Sequence, residues 1–171
     1  LSGFFILYLP MNEWIIEDHL FWMDQALREA EKALEAGEVP VGAVVVQRGK
    51  LVGRGYNRVE QLQDPTAHAE IIALTAAANT LNSWRLTGCT LYVTLEPCPM
   101  CAGALLNSRI DRLVFGAEDN QYGACGGRLQ LCTKGFFNHK VTILSGIRET
   151  QAQELLDTFF KTIRDRPSQN K

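Results

Sequence analysis

His68, Glu70, Cys98 and Cys101 are the residues of this 171-residue sequence whose types and spacing suit chemistry. They lie in two short stretches, Thr66-Ala67-His68-Ala69-Glu70 and Leu95-Glu96-Pro97-Cys98-Pro99-Met100-Cys101, which read as His-x-Glu followed by Pro-Cys-x-x-Cys. One imidazole and two thiols make a set of three zinc ligands, and a catalytic zinc site takes three protein ligands and keeps a fourth position for water. A neutral imidazole and two thiolates also balance a divalent cation, leaving the water as the group most worth ionising. Zinc in such a site brings the pKa of water toward neutrality. Glu70 is then placed to take the water's proton, hand it to a ring nitrogen of an aminated heterocycle, and protonate the departing amine. One carboxylate serves as base and then as acid. The chemistry implied is hydrolytic deamination.

Two other readings of the Cys-x-x-Cys pair compete. A redox motif leaves His68 and Glu70 without a purpose. A closed structural zinc site needs a fourth Cys or His, and Cys89, Cys125 and Cys132 stand at no usual ligand spacing from the pair. Glu70, two residues from a ligand, is what an open site needs and a closed one does not.

The elements around these residues must make them converge. Residues two apart on a regular helix point about 200° apart, so His68 and Glu70 share a site only off a helix end. The spacing therefore predicts a helix entered after Pro65-Thr66 and running through about Ala78, with the metal at its N-terminus, where the macrodipole favours anionic ligands. A buried-looking strand, Cys89 to Leu95, runs into Pro97-Cys98, and a second helix places Cys98 and Cys101 on one face of its first turn, which favours thiolate. Small residues from Ala102 to Ala104 permit another backbone to approach closely.

Upstream, Leu20, Met23, Leu27, Ala30 and Leu34 form one helical stripe, with Asp18 as the expected N-cap and Gly37 and Pro40 marking the stop. His19 is expected to be exposed or capping, without a chemical role. Val39 to Val46, a turn through Gln47-Arg48-Gly49-Lys50, and Leu51 to Asn57 read as a hairpin. Leu51, Gly53, Gly55 and Asn57 share one face of the second strand, and the two glycines are expected to leave open space there. Asn57, at the end of that face, either contacts a base edge or caps the following loop. Further on come a strand from Asp111 to Gly116, a Gly-rich loop from Ala117 to Asn138, and a short strand from Val141 to Leu144. A last helix starts near Glu149 and carries Leu155, Leu156, Phe159, Phe160 and Ile163. Lys161, Arg164 and Arg166 gather toward its end, as suits the helix dipole. This order of elements indicates a single α/β layered domain.

Bulk properties narrow the classes further. A 46% hydrophobic content fits a globular protein, and a formal charge of −2 with pI near 5.9 argues against nucleic-acid binding by bulk electrostatics alone. Five cysteines at uneven spacing do not make a secreted disulfide framework, so a reducing, cytoplasmic setting is expected. Phe4 to Leu9 is too short to cross a bilayer and lacks the flanks of a signal peptide, so no membrane association is expected. Residues 1–17, with Met11 inside them, are expected to be an extension, 18–166 the domain, and 167–171 a tail.

The motifs resemble the cytidine deaminase-like superfamily, and within it most closely the bacterial tRNA-specific adenosine deaminases. Glu38-Val39-Pro40-Val41-Gly42-Ala43-Val44, Asp64 to Glu70, Thr90 to Cys98, Ser108-Arg109-Ile110, and Glu154-Leu155-Leu156 with Phe159-Phe160 all carry this likeness, which spans about Asp18 to Arg166. The resemblance implies a three-layer α/β/α fold with a five-stranded mixed sheet, a homodimer, and conversion of the wobble adenosine of a tRNA anticodon to inosine. It implies that His68, Cys98 and Cys101 hold one zinc ion and Glu70 shuttles protons. It further implies that Asn57 contacts the flipped base, Asp119 the anticodon-loop backbone or sugar, and Phe159, Phe160 and the basic last helix the flanking RNA. A guanine or other free-base deaminase shares much of the motif, and a zinc-stabilised RNA-binding domain without turnover is the alternative from another class. Cys125, Cys132 and His139 match no family function. A second metal site is one reading of them, and loop thiols with a packing histidine is the preferred one.

Overall fold

Five strands in the order β2-β1-β3-β4-β5 form the middle layer of the structure, a computed structural model that describes residues 16–132 and 138–165. In chain order the elements are α1 (Ile16–Glu35), β1 (Gly42–Gln47), β2 (Lys50–Tyr56), α2 (Val59–Leu62), α3 (Ala69–Leu81), β3 (Cys89–Leu95), α4 (Pro99–Asn107), β4 (Arg112–Ala117), β5 (Thr142–Leu144) and α5 (Glu149–Arg164). β1 runs antiparallel to β2 and to β3, whereas β4 is parallel to β3 and β5 is parallel to β4. The sheet is therefore mixed, as the resemblance implies. The expected N-terminal extension, Arg166 and the C-terminal tail lie wholly or mostly outside the described residues.

Strand alternation sorts the core into two layers. Ala43, Val45, Leu91, Val93, Leu113 and Phe115 point to the face covered by α3 and α4. Their neighbours Val44, Val46, Tyr92 and Val114 point the other way, onto Met23 and Ala26 of α1. Ala152 of α5 joins Leu27 of α1 on that second face. Arg148, at the start of α5, clamps Asp24 of α1 with two hydrogen bonds of 2.8 and 3.0 Å. Burying each such Val or Leu contributes about 1.5–3 kcal/mol, so helices with one apolar stripe are held to both faces.

Several expectations change here. α1 begins at Ile16, so Asp18 lies in its first turn beside Glu17 and is not its N-cap. His19 is buried, with Nδ1 3.0 Å from the Tyr92 hydroxyl. Tyr92 faces α1 from the middle of β3, and a phenol in an apolar layer requires a polar partner. Burial holds His19 below its ordinary pKa and pushes Tyr92 up to about 12, so the contact is between neutral groups.

The face carrying Gly53 and Gly55 is not open. A Cβ at Gly53 would lie 2.6 Å from the Ala77 nitrogen, and one at Gly55 would lie 2.8 Å from the Ala69 carbonyl oxygen. The absence of side chains lets the α3 backbone rest directly on β2. α3 also runs past Ala78 to Leu81, where Asn82 adopts a left-handed conformation and donates its N–H to the Ala78 and Asn79 carbonyls. Among the described residues no helix is long and apolar enough to cross a membrane.

Candidate active site

The two motif stretches meet where two helices begin. His68 immediately precedes α3 in an extended conformation (φ −73, ψ 153), and Cys98 does the same for α4 (φ −70, ψ 172). Pro99 occupies the first position of α4, where its missing N–H costs nothing. With His68 outside the helical repeat, Glu70 in the first turn is free to share a site with it. Close seating of α3 on the glycine face of β2 brings this end of the helix to β3 and the Cys98 junction.

His68 Nδ1 lies 3.7 Å from Cys98 Sγ and 3.6 Å from Cys101 Sγ, and the three atoms all lie within 4.8 Å of one another. A tetrahedral ion with zinc-like bond lengths holds neighbouring ligand atoms roughly 3.5 Å apart, so spacing and chemistry both fit a metal. Among the described residues no other group of three His, Cys, Asp or Glu is disposed to hold one. The Cys101 thiol donates to Cys98, and this bond, helped by His68 and opposed by burial, brings Cys98 down to about 4. Cys101 is pushed up by the same bond and by burial. His68 is raised, first by its bond with Cys98. Cys98 is thus a thiolate at neutral pH, and a cation bound here displaces the proton of Cys101.

Glu70 is 4% exposed, and burial pushes its carboxyl up to about 7 against the pull of its own N–H and of His68. A carboxyl poised there accepts and returns protons at neutral pH. It opens onto a cleft of about 670 Å³ lined by His68, Glu70 and Cys98 at one end and by Asn57, Asp119, Phe159 and Phe160 elsewhere. Cys101 does not line the cleft and is fully buried beside Cys98, and Lys161 and Arg164 of the last helix also lie outside its lining.

Relatives carry the same outline. A model of the MafB19-like deaminase family matches residues 17–164. The tRNA-specific adenosine deaminase of Bacillus subtilis is 45% identical over 148 residues, 86% of this chain and 91% of that protein. The chain belongs to the tRNA-specific adenosine deaminase family. A solved structure from work on A-to-I editing by tRNA:A34 deaminases at the wobble position superposes with a TM-score of 0.77 at 43% identity, covering 80% of this chain and 99% of that one. Guanine deaminase from Nitrosomonas europaea is more distant, at 27% identity and a TM-score of 0.72, with 82% and 83% of the two chains covered.

In this deaminase the sequence-derived residues fall into floor and lip. Asn57 is buried and caps no helix; its Nδ2 donates to Glu38 Oε2 at 3.4 Å. Asp119 is half-buried, and its Oδ1 accepts the N–H groups of Gln121 and Tyr122 at 2.9 and 3.0 Å. Phe159 and Phe160 meet edge to face at 5.4 Å, and Phe160, Ile163 and Tyr122 leave large apolar surface in water at the cleft mouth. Lys161 and Arg164 are exposed on the same helix.

Two carboxylates were missed as site residues. Glu38 accepts the N–H groups of Glu60 and Gln61 besides the Asn57 amide, and so anchors the unexpected α2 at the cleft wall. Glu96 accepts three N–H groups of the loop after β4. Glu96 carried a signal as a lone charge inside an apolar stretch, whereas Glu38, three residues after Glu35, carried none. Among the described residues of the Gly-rich loop there is no second metal group. Cys125 and Cys132 are buried with their sulfurs 3.1 Å apart, while His139 Nε2 bonds the Ile110 carbonyl at 2.6 Å.

Proposed function

We propose that this protein hydrolytically deaminates the wobble adenosine of a tRNA anticodon to inosine, using one zinc ion held by His68, Cys98 and Cys101. The observation that carries this is the buried Glu70 carboxyl beside the His/Cys/Cys set, at the base of a cleft with an exposed aromatic lip. When bound, zinc supplies the Lewis acidity that makes water a nucleophile near neutral pH. Glu70 accepts the proton of the attacking water as the new C6–O bond forms, and delivers it to the purine ring nitrogen N1. It then carries a second proton to the amine as the C6–N6 bond breaks, so adenosine and water give inosine and ammonia. Asn57, oriented by Glu38, holds the flipped base by its edge, which a nucleobase deaminase must extract from its neighbours before reacting.

The lip favours RNA over a free base. Tyr122, Phe159 and Phe160 offer faces on which unstacked loop bases rest, and Lys161 and Arg164 stand near for phosphates. Asp119, at the same rim, contacts the sugar or backbone. A near-neutral chain suits this mode, since base stacking and edge contacts carry more of the recognition than bulk charge. The family match over residues 17–164 supports treating 18–166 as one deaminase domain, and a cytoplasmic location is part of the proposal. A homodimer is part of the proposal. Its support is the outer face of α3 and α4, where a Cβ at Gly103 would meet nothing within 4 Å and a shallow groove is lined by Ile71, Trp84 and Ala104.

The test is positional. An arginine-tRNA anticodon stem-loop with adenosine at the wobble position is expected to acquire inosine there, and the same loop with adenosine one position away is expected to stay unmodified. Equal conversion at both positions contradicts the wobble assignment. Sedimentation of the zinc-loaded protein tests the assembly, and a monomer at micromolar concentration counts against the dimer.

A further inference from the structure

Glu96 joins the metal-ligand junction to the cleft rim. It lies between Leu95, the last residue of β3, and Pro97-Cys98, and is 2% exposed. Its Oε2 accepts the Asp119 N–H at 3.1 Å, and its Oε1 accepts the N–H groups of Cys125 at 3.0 Å and Gly127 at 2.8 Å. The backbone on either side adds to the same seam: the Glu96 N–H donates to the Ala117 carbonyl, and the Ala124 N–H donates to the Pro97 carbonyl, both at 2.9 Å. The ion pairs formed among the described residues lie elsewhere, so this buried anion is balanced by loop amides. Burying a carboxylate is costly unless its oxygens are satisfied, and here three backbone N–H groups from separate points of one loop satisfy them.

The loop is built around that carboxylate. A Cβ at Gly127 would lie 2.9 Å from Glu96 Oε1 and 3.1 Å from its Cδ, and one at Gly123 would also collide with the carboxylate. The far side of the turn is fixed by Asp119 itself, whose Oδ1 holds the N–H groups of Gln121 and Tyr122. Glu96 thus fixes the backbone of Asp119, and Asp119 fixes the turn that presents Tyr122 at the cleft. Glu96 also lines the cleft, but the hydrogen bonds of its carboxylate all go to the loop after β4 and none to His68, Glu70, Cys98 or Cys101.

We infer that Glu96 is a positioning residue that sets RNA binding through Asp119 and Tyr122, while leaving proton transfer at Glu70 untouched. The inference rests on the proposed role of Asp119 as an RNA contact. An amide in place of the carboxylate has a single acceptor oxygen and turns an NH2 toward one set of loop N–H groups, so Glu96→Gln loosens the loop without emptying the space.

The experiment compares the zinc-loaded full chain with Glu96→Gln, Asp119→Ala and the double variant, measuring kcat and KM on the anticodon stem-loop together with zinc content. Glu96→Gln is expected to raise KM about tenfold, the scale of one lost hydrogen bond to a charged group, with kcat within about twofold and zinc content unchanged. In the Asp119→Ala background the same substitution is expected to raise KM no further, because both changes remove one contact. A fall in kcat at unchanged KM, or multiplying effects in the double variant, overturns the positioning role alone. An Asp119→Ala enzyme with unchanged KM overturns the reading of Asp119 and the positioning role with it. Gly127→Ala presses on the carboxylate from the loop side and serves the same comparison if Glu96→Gln does not fold: it must raise KM in the wild-type background and not in Asp119→Ala.

Discussion

Glu70 occupies the position where burial and function make opposite demands. Its carboxyl is almost wholly enclosed, which raises it to about 7, and an ordinary surface Glu would be a much weaker base-and-acid pair for neutral water and a purine nitrogen. Glu70→Gln keeps size and burial and removes the proton carrier. Single-turnover inosine formation should fall by about 10²–10⁴-fold, while zinc content and RNA affinity stay near wild type. Loss of metal together with activity would mean that Glu70 is structural. Chelation separates the ligands from the base: stripping the metal should abolish turnover and lower the melting temperature, and added zinc should restore both, because binding free energy to the folded state adds to stability. At this scale the four motif residues were legible from type and spacing alone. The roles of Glu38 and Glu96 were not, because all but one of their partners are backbone N–H groups, 22 to 31 residues away in the chain, that no side-chain pattern reveals.

Elements position these residues through contacts that a strand pattern cannot show. The hairpin, the two motif helices, β3 to β5 and α5 all stand close to where hydrophobic periodicity and turn residues put them. The face of β2 is different: glycine repetition signals missing side chains but not what fills the space, and the filler proves to be helical backbone. Gly53→Ala directs a methyl at the Ala77 nitrogen and should cost roughly 1–3 kcal/mol, read as a lower denaturation midpoint. Because α3 carries His68 at its start, the variant should also lose zinc affinity. A stable variant with unchanged metal binding would contradict the idea that this close seating positions the site. His19 misled for a related reason. Its place in the first turns of α1 suggested water, whereas the tyrosine that it meets lies 73 residues later.

The molecule as a whole divides chemistry from selection. The floor of the cleft belongs to the α3 and α4 N-termini, and the rim belongs to the loop after β4 and to α5. The guanine deaminase and the tRNA:A34 deaminase structures share this fold, so the fold alone does not choose the substrate, and the rim is where the choice is tested. Phe160→Ala removes a half-exposed ring that meets Phe159 at the cleft mouth, so stability should hardly change. KM for the stem-loop should rise by about tenfold, the scale of one lost base stack, and an unchanged KM would remove α5 from the RNA surface. The most direct measurement of the whole account is ammonia release by the zinc-loaded protein, run side by side on the wobble-adenosine stem-loop and on free guanine. The account predicts one ammonia per inosine formed in the RNA and none above background from guanine; ammonia from guanine with no inosine in the RNA would contradict it.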